Sequence, residues 1–193
     1  TNPDNQVIGQ RSFGSHAQTV AGMVKSELQG LSAAGVYRMV KHFPGHGGTS
    51  GDSHDGAVST DKTLEELIAE ELVPFQSAID GGVNFVMVGH ISAPNVTGDN
   101  APATLSKVLI TDVLRGQMGY NGIVITDAMN MEAITGFYNS DKAAVLAVTA
   151  GADMILMPAD YNTAYTGILN AVNDGTITEE RINESVTRIV KAK

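Results

Sequence analysis

The sequence predicts an α/β fold with a parallel sheet and, within that class, a (β/α)8 TIM-type barrel. Three observations carry this. Short apolar runs alternate with longer segments of helical period. The runs are near-continuously apolar rather than alternating, as strands covered on both faces are. Successive runs also end, on their C-terminal side, in chemistry-bearing residues: Lys41 and His42, then Gly89 and His90, then Asp127. In a barrel those ends share one mouth, whereas an open doubly wound sheet gathers ligands only at a switch-point crevice. No G-x-G-x-x-G turn supports a dinucleotide site.

Taken in chain order, Ser15 is placed to cap a helix over about 16–30, with Val20, Met23, Val24 and Leu28 on one face. The run 36–40, "VYRMV", is the first strand. Thr63 caps a second helix through Leu64, Leu67 and Ile68, and Pro74 kinks or restarts it. The second strand is 83–89, "VNFVMVG". A helix over 105–115 turns Leu105, Val108, Leu109 and Val113 inward. The third strand is 122–126, "GIVIT", and the fourth 153–157, "DMILM". Helices are expected at about 140–150 and 162–173, the latter stopped by "NDG". A last helix from Thr178 carries Ile182, Val186, Ile189 and Val190 on one face. A closed barrel needs eight strands and ~250 residues. Four strands in 193 residues therefore mean either half a barrel or a smaller open fold.

Composition narrows the function. At 42% hydrophobic and 17% charged the chain is a globular domain, one unit over 1–193, with enough length for a core. Its net charge of −9 and the lack of a Lys/Arg cluster argue against a nucleic-acid partner. No run of about eighteen apolar residues suggests a membrane span, and "TNPDNQVIGQ" does not read as a signal peptide. Cysteine is absent, which excludes disulfides and thiolate metal sites and leaves the compartment open.

The segment 41–56, "KHFPGHGGTSGDSHDG", holds three of the five histidines and five glycines. A metal site, an acid–base site and a solvated loop compete for it. His42, His46, Asp52 and His54 are possible zinc ligands, but "FPG" interrupts the H-x3-H pair and removes the helical two-histidine face. No metal is therefore expected. Asp52 and His54 stand two apart, so in an extended segment they share one side and the carboxylate can orient the imidazole. Asp127 follows an apolar strand, where a carboxylate needs a partner or a solvent-filled mouth. The plainer role for Asp127 is the cap of a helix from Met129.

The combination of "KHFPGHGGTSGDSH" with the later "VITDAMNM" resembles glycoside hydrolase family 3, in particular its β-N-acetylhexosaminidase branch. The stretches "NQVIGQRSFGS" (5–15), "LVPFQSAIDGGVNFVMVGH" (72–90), "PATLSKVLITDVLRGQMGYNGIVITDAM" (102–129) and "AGADMILMP" (150–158) extend the resemblance over nearly the whole chain. The resemblance implies a (β/α)8 barrel of which these residues are the C-terminal half, the N-terminal half being a partner still to be supplied. It implies a retaining mechanism without cofactor. Asp127 matches the nucleophile, His54 the acid/base, and Asp52 its orienting partner. Lys41, His42 and Arg11 match residues that bind sugar hydroxyls, and His90 is placed on the same mouth. Glycines over 45–51 would let the loop swing the acid/base in. The implied substrate is a terminal β-linked N-acetylglucosamine, with peptidoglycan fragments the leading source. A β-glucosidase specificity and a non-catalytic sugar-binding fragment are the rivals.

Overall fold

The computed structural model describes residues 5, 7–49, 56 and 58–192. Three parallel strands form the main sheet in the order β1-β3-β5: β1 (Met39–Phe43), β3 (Phe85–Val88) and β5 (Ile123–Thr126). Two short strands, β2 (Val58–Ser59) and β4 (Ile91–Ser92), pair in parallel beside it. Around the strands run α1 (Ala17–Ala33), α2 (Leu64–Ala69), α3 (Leu72–Asp80) and α4 (Pro94–Thr97). A π-helix (Val108–Gln117) follows, then α5 (Glu132–Thr135), α6 (Ser140–Ala150), α7 (Tyr161–Asn173) and α8 (Glu179–Lys191). Among the described residues every pairing between these strands is parallel with a helical crossover, the expected α/β class.

The central strand β3 explains the apolar runs. Val86 and Val88 are fully buried and Met87 nearly so, because β3 has a neighbour on each side and cover on both faces. Burying each such side chain is worth ~1.5–3 kcal/mol. β1 lies at the sheet edge and is buried only at Phe43, with Met39 and Lys41 exposed. It also starts later than its composition suggests: the Val36 N–H donates to the Leu31 carbonyl at the end of α1, so pairing begins at Met39 opposite Phe85.

The segment 153–157 is not a regular strand. It follows β5 in parallel, bridging at Ile125 and Met154. The Asp153 and Met154 N–H groups both reach the Val124 carbonyl, and the Leu156 N–H donates to the Thr126 hydroxyl instead of a carbonyl. Side chains have replaced part of the ladder. The cause lies at its start. Asp153, its side chain wholly buried, contacts Arg115 at 2.6 Å, Arg188 at 3.1 Å and the Ser185 hydroxyl at 2.7 Å, and accepts from the Val124 N–H at 2.9 Å. That carboxylate also shifts the expected face of α8, on which Ile182 still packs against the core and Ile189 is half-buried. Ser185 is buried and Arg181 and Arg188 turn inward, while Val186 and Val190 are exposed.

Helix signals near chain breaks fare better. Thr63 closes a capping box with Glu66, accepting from the Glu66 N–H while its own N–H donates to the Glu66 carboxylate. The chain then restarts at Leu72, with Pro74 in the first turn of α3, where no N–H is required. At α1 the cap position is His16, not Ser15, and no side chain caps it.

Candidate active site

The strand ends converge as a barrel mouth would require. Asp127 follows β5, and its N–H continues the ladder to the Val88 carbonyl at 2.8 Å. Its Oδ1 accepts from the Ala128 N–H at 2.8 Å, and its Oδ2 lies 3.5 Å from His42 Nε2. It is not a helix cap. The next helix, α5, begins at Glu132 with Met131 at the cap position, too far along for the Asp127 side chain to serve.

His42 is aimed by an irregularity in β1. The pairing runs Met39↔Phe85, Val40↔Val86, then Phe43↔Val88, so one extra residue is accommodated around Lys41 and His42. The Lys41–His42 and Phe43–Pro44 peptide bonds are both cis. Gly89 lets the two strands approach: a Cβ there would stand 3.0 Å from the His42 Cβ. Burial is the largest influence on His42 and lowers its pKa to about 4. The Asp127 carboxylate opposes this, while Lys41, His46 and Arg11 add to the lowering. His42 is thus a neutral imidazole at pH 7 beside a carboxylate.

Arg11 ends the short 3-10 turn Gly9–Arg11, and its guanidinium donates to the Val7 carbonyl at 2.6 Å. With Lys41, His42 and His46 it rims a cleft of about 320 Å³ whose floor includes Val24, Leu28 and Phe75. Arg11, Lys41, His42 and Asp127 are therefore brought together. Asp52 and His54 lie outside the described residues. Among the described residues no group of three or more His, Asp or Glu side chains is arranged to hold a metal ion.

His90, placed on the mouth by its position after a strand, is buried. It is 1% exposed and sits behind the mouth, with Nδ1 2.9 Å from the Thr104 hydroxyl and Nε2 2.9 Å from the Ala128 carbonyl. The described part of the glycine-rich loop is held on two sides. The Asn5 amide donates to the carbonyls of His46, Gly47 and Thr49, at 2.9, 3.3 and 3.3 Å. On the loop's other side lies Glu71, 5% exposed and paired with Lys62 at 2.8 Å. A Cβ on Gly45 would come within 2.6 Å of the Glu71 side chain, and one on Gly48 equally close, so these two glycines permit close packing on Glu71. Asn5, Glu71 and Lys62 carried no periodic signal, and only the density of glycines hinted that something must approach them.

The "Glycosyl hydrolase family 3 N terminal domain" model matches residues 1–192. The chain is 32% identical to Beta-hexosaminidase A of Pseudoalteromonas piscicida over all of its own length and 36% of that protein. It is 37% identical to Beta-hexosaminidase LpqI of Mycobacterium tuberculosis, over 99% of this chain and 50% of that one. A solved family 3 beta-N-acetylglucosaminidase from Paenibacillus sp. superposes with a TM-score of 0.95 at 44% identity, over 98% of this chain and 37% of the other. The chain thus spans between about a third and a half of the relatives it matches.

Proposed function

From the premise that this chain belongs to glycosyl hydrolase family 3, we propose that it carries the nucleophile side of a retaining β-N-acetylhexosaminidase. The observation that carries the reading is the Asp127 carboxylate at the β5 tip, 3.5 Å from a neutral His42 that lines the cleft with the cations Lys41 and Arg11. The carboxylate is partly exposed, at 16%, and the neighbours of His42 can bind sugar hydroxyls.

In the proposed reaction an Asp127 oxygen attacks C1 of a terminal β-linked N-acetylglucosamine as the C1–O bond to the leaving group breaks. His54, as imidazolium, gives its proton to the leaving oxygen. It then takes a proton from water, whose oxygen attacks C1 and frees Asp127. Asp52 holds the ring and stabilises imidazolium. A histidine suits both half-reactions because its ordinary pKa of about 6.5 keeps both protonation states within reach of neutrality. Arg11, Lys41 and His42 orient the sugar. On this reading the remaining strands of the barrel belong to an N-terminal half, for which the relatives' greater length leaves room. Peptidoglycan-derived fragments are the proposed natural source, in line with the hexosaminidase relatives.

Assay of the full-length protein on an aryl β-N-acetylglucosaminide and the matching aryl β-glucoside tests this. The first should be hydrolysed in preference, and Asp127→Ala should abolish turnover. Hydrolysis persisting in Asp127→Ala would remove the nucleophile assignment. His54→Ala should slow poor leaving groups far more than activated ones.

A further inference from the structure

The peptide group one residue beyond Asp127 is gripped at both ends. Its carbonyl, that of Ala128, accepts from His90 Nε2 at 2.9 Å and from the Met131 N–H at 3.2 Å. Its N–H, that of Met129, donates to the Leu156 carbonyl at 2.9 Å. Three parts of the chain thus meet at Ala128: the β3–β4 corner, the 153–157 segment and the end of β5. The Ala128 N–H in turn donates to Asp127 Oδ1.

A carbonyl can only accept, so the His90 nitrogen facing Ala128 carries hydrogen. In the neutral ring Nδ1 is then the acceptor, and the Thr104 hydroxyl 2.9 Å away is placed to donate to it. Thr104 is fully buried on the turn Ala103–Leu105, and His90 is nearly so. The carbonyl therefore sets the tautomer, and the hydroxyl, free to donate to Nδ1, supports it. The Asp127 backbone is already held by the ladder bond to Val88, so what remains free is the direction of its carboxylate. That direction is set by the Ala128 N–H, which leaves Oδ2 facing His42.

We propose that His90 is a positioning residue: through Ala128 it holds the Asp127 carboxylate in its attacking orientation, with the Thr104 hydroxyl bracing the other side of the ring. This rests on the reading of Asp127 as nucleophile. Thr104 is fully buried and His90 nearly so, so their effect belongs in the chemical step and not in sugar binding.

The test measures kcat and KM of the full-length protein on an aryl β-N-acetylglucosaminide, with thermal melting alongside. His90→Asn removes the donor to Ala128. Its kcat should fall roughly 10- to 100-fold, the cost of a small misplacement of a reacting group, with KM little changed. His90→Gln, whose amide nitrogen reaches close to the position of Nε2, should recover most of that loss. Thr104→Val keeps the volume and loses the hydroxyl; it should lower kcat by less, again with KM little changed. A raised KM at unchanged kcat would mean that His90 touches the sugar, and an unchanged kcat in folded His90→Asn would mean that the carboxylate needs no such brace. Either overturns the inference. If His90→Asn melts below the assay temperature, folded Thr104→Val decides, and a normal kcat there overturns it as well. Asp127→Ala is run in parallel: turnover persisting there discards the nucleophile reading itself, whatever the His90 variants do.

Discussion

At His42 two opposing effects compete, and burial wins. The ring loses hydration, which disfavours its charged form, and the nearby Asp127 carboxylate only partly restores it; Lys41, His46 and Arg11 work against it. The sign of the consequence follows. An unfolded chain takes up the His42 proton near pH 6.5, whereas the folded one waits until about 4. Between those values the unfolded state binds more protons, so stability from this group falls as pH drops from about 6.5 and levels off below about 4. Two-dimensional NMR of the imidazole should show no titration of His42 between pH 5 and 8. In Asp127→Asn the apparent pKa should move lower still, since a raising influence is gone; a rise would contradict the 3.5 Å approach. A neutral ring can both donate to and accept from sugar hydroxyls, which a charged ring could not.

Among the elements, local chemistry decided the ends and tertiary contacts decided the faces. Thr63 closes its capping box within a few residues. Thr63→Ala should therefore cost about 1 kcal/mol in urea unfolding, and no measurable loss would show that α2 is held by packing alone. The α8 face is the opposite case. Its apolar period placed Val186 and Val190 inward, yet Asp153 draws Arg181, Ser185 and Arg188 to that side. Asp153 stands some thirty residues away in sequence, so no local pattern could announce it. Asp153→Asn would leave Arg115, Arg181 and Arg188 facing one another with no anion between them. Removing one member of a buried ion cluster costs roughly 3–5 kcal/mol. The predicted signature is a large drop in unfolding midpoint together with loosening of 153–157, read by hydrogen exchange.

The molecule as a whole is a sheet with open flanks. On one side Val36, Tyr37 and Met39 are exposed beside β1, which among the described residues pairs only with β3. On the other, Tyr161, Tyr165 and Leu169 follow one another along α7 and are also exposed, the two tyrosine rings stacked 6.3 Å apart. Parallel sheets are normally covered on both faces and their edges shielded. The 193 residues studied alone should therefore bind an apolar dye and self-associate in sedimentation, and adding the N-terminal half should suppress both. A monomeric, dye-silent chain would contradict the half-barrel reading.

Much of this was legible in the residues. The alternation of apolar runs with helical periods determined the α/β class, because strand and helix each impose their own period on whatever they bury. Asp127 was legible because a charged group after an apolar strand must have somewhere solvated to go, whereas Lys41 and His42, expected just past the first strand, lie within β1. What only the tertiary structure decided were the relations between distant residues. His90 turned from the mouth to the Ala128 carbonyl, Glu71 slid beneath Gly45, and Asp153 gathered three arginines from two helices. Each of these is one hydrogen bond or close approach between segments far apart in the chain. Such contacts leave no period in a sequence, since they depend on where the backbone has already brought each group.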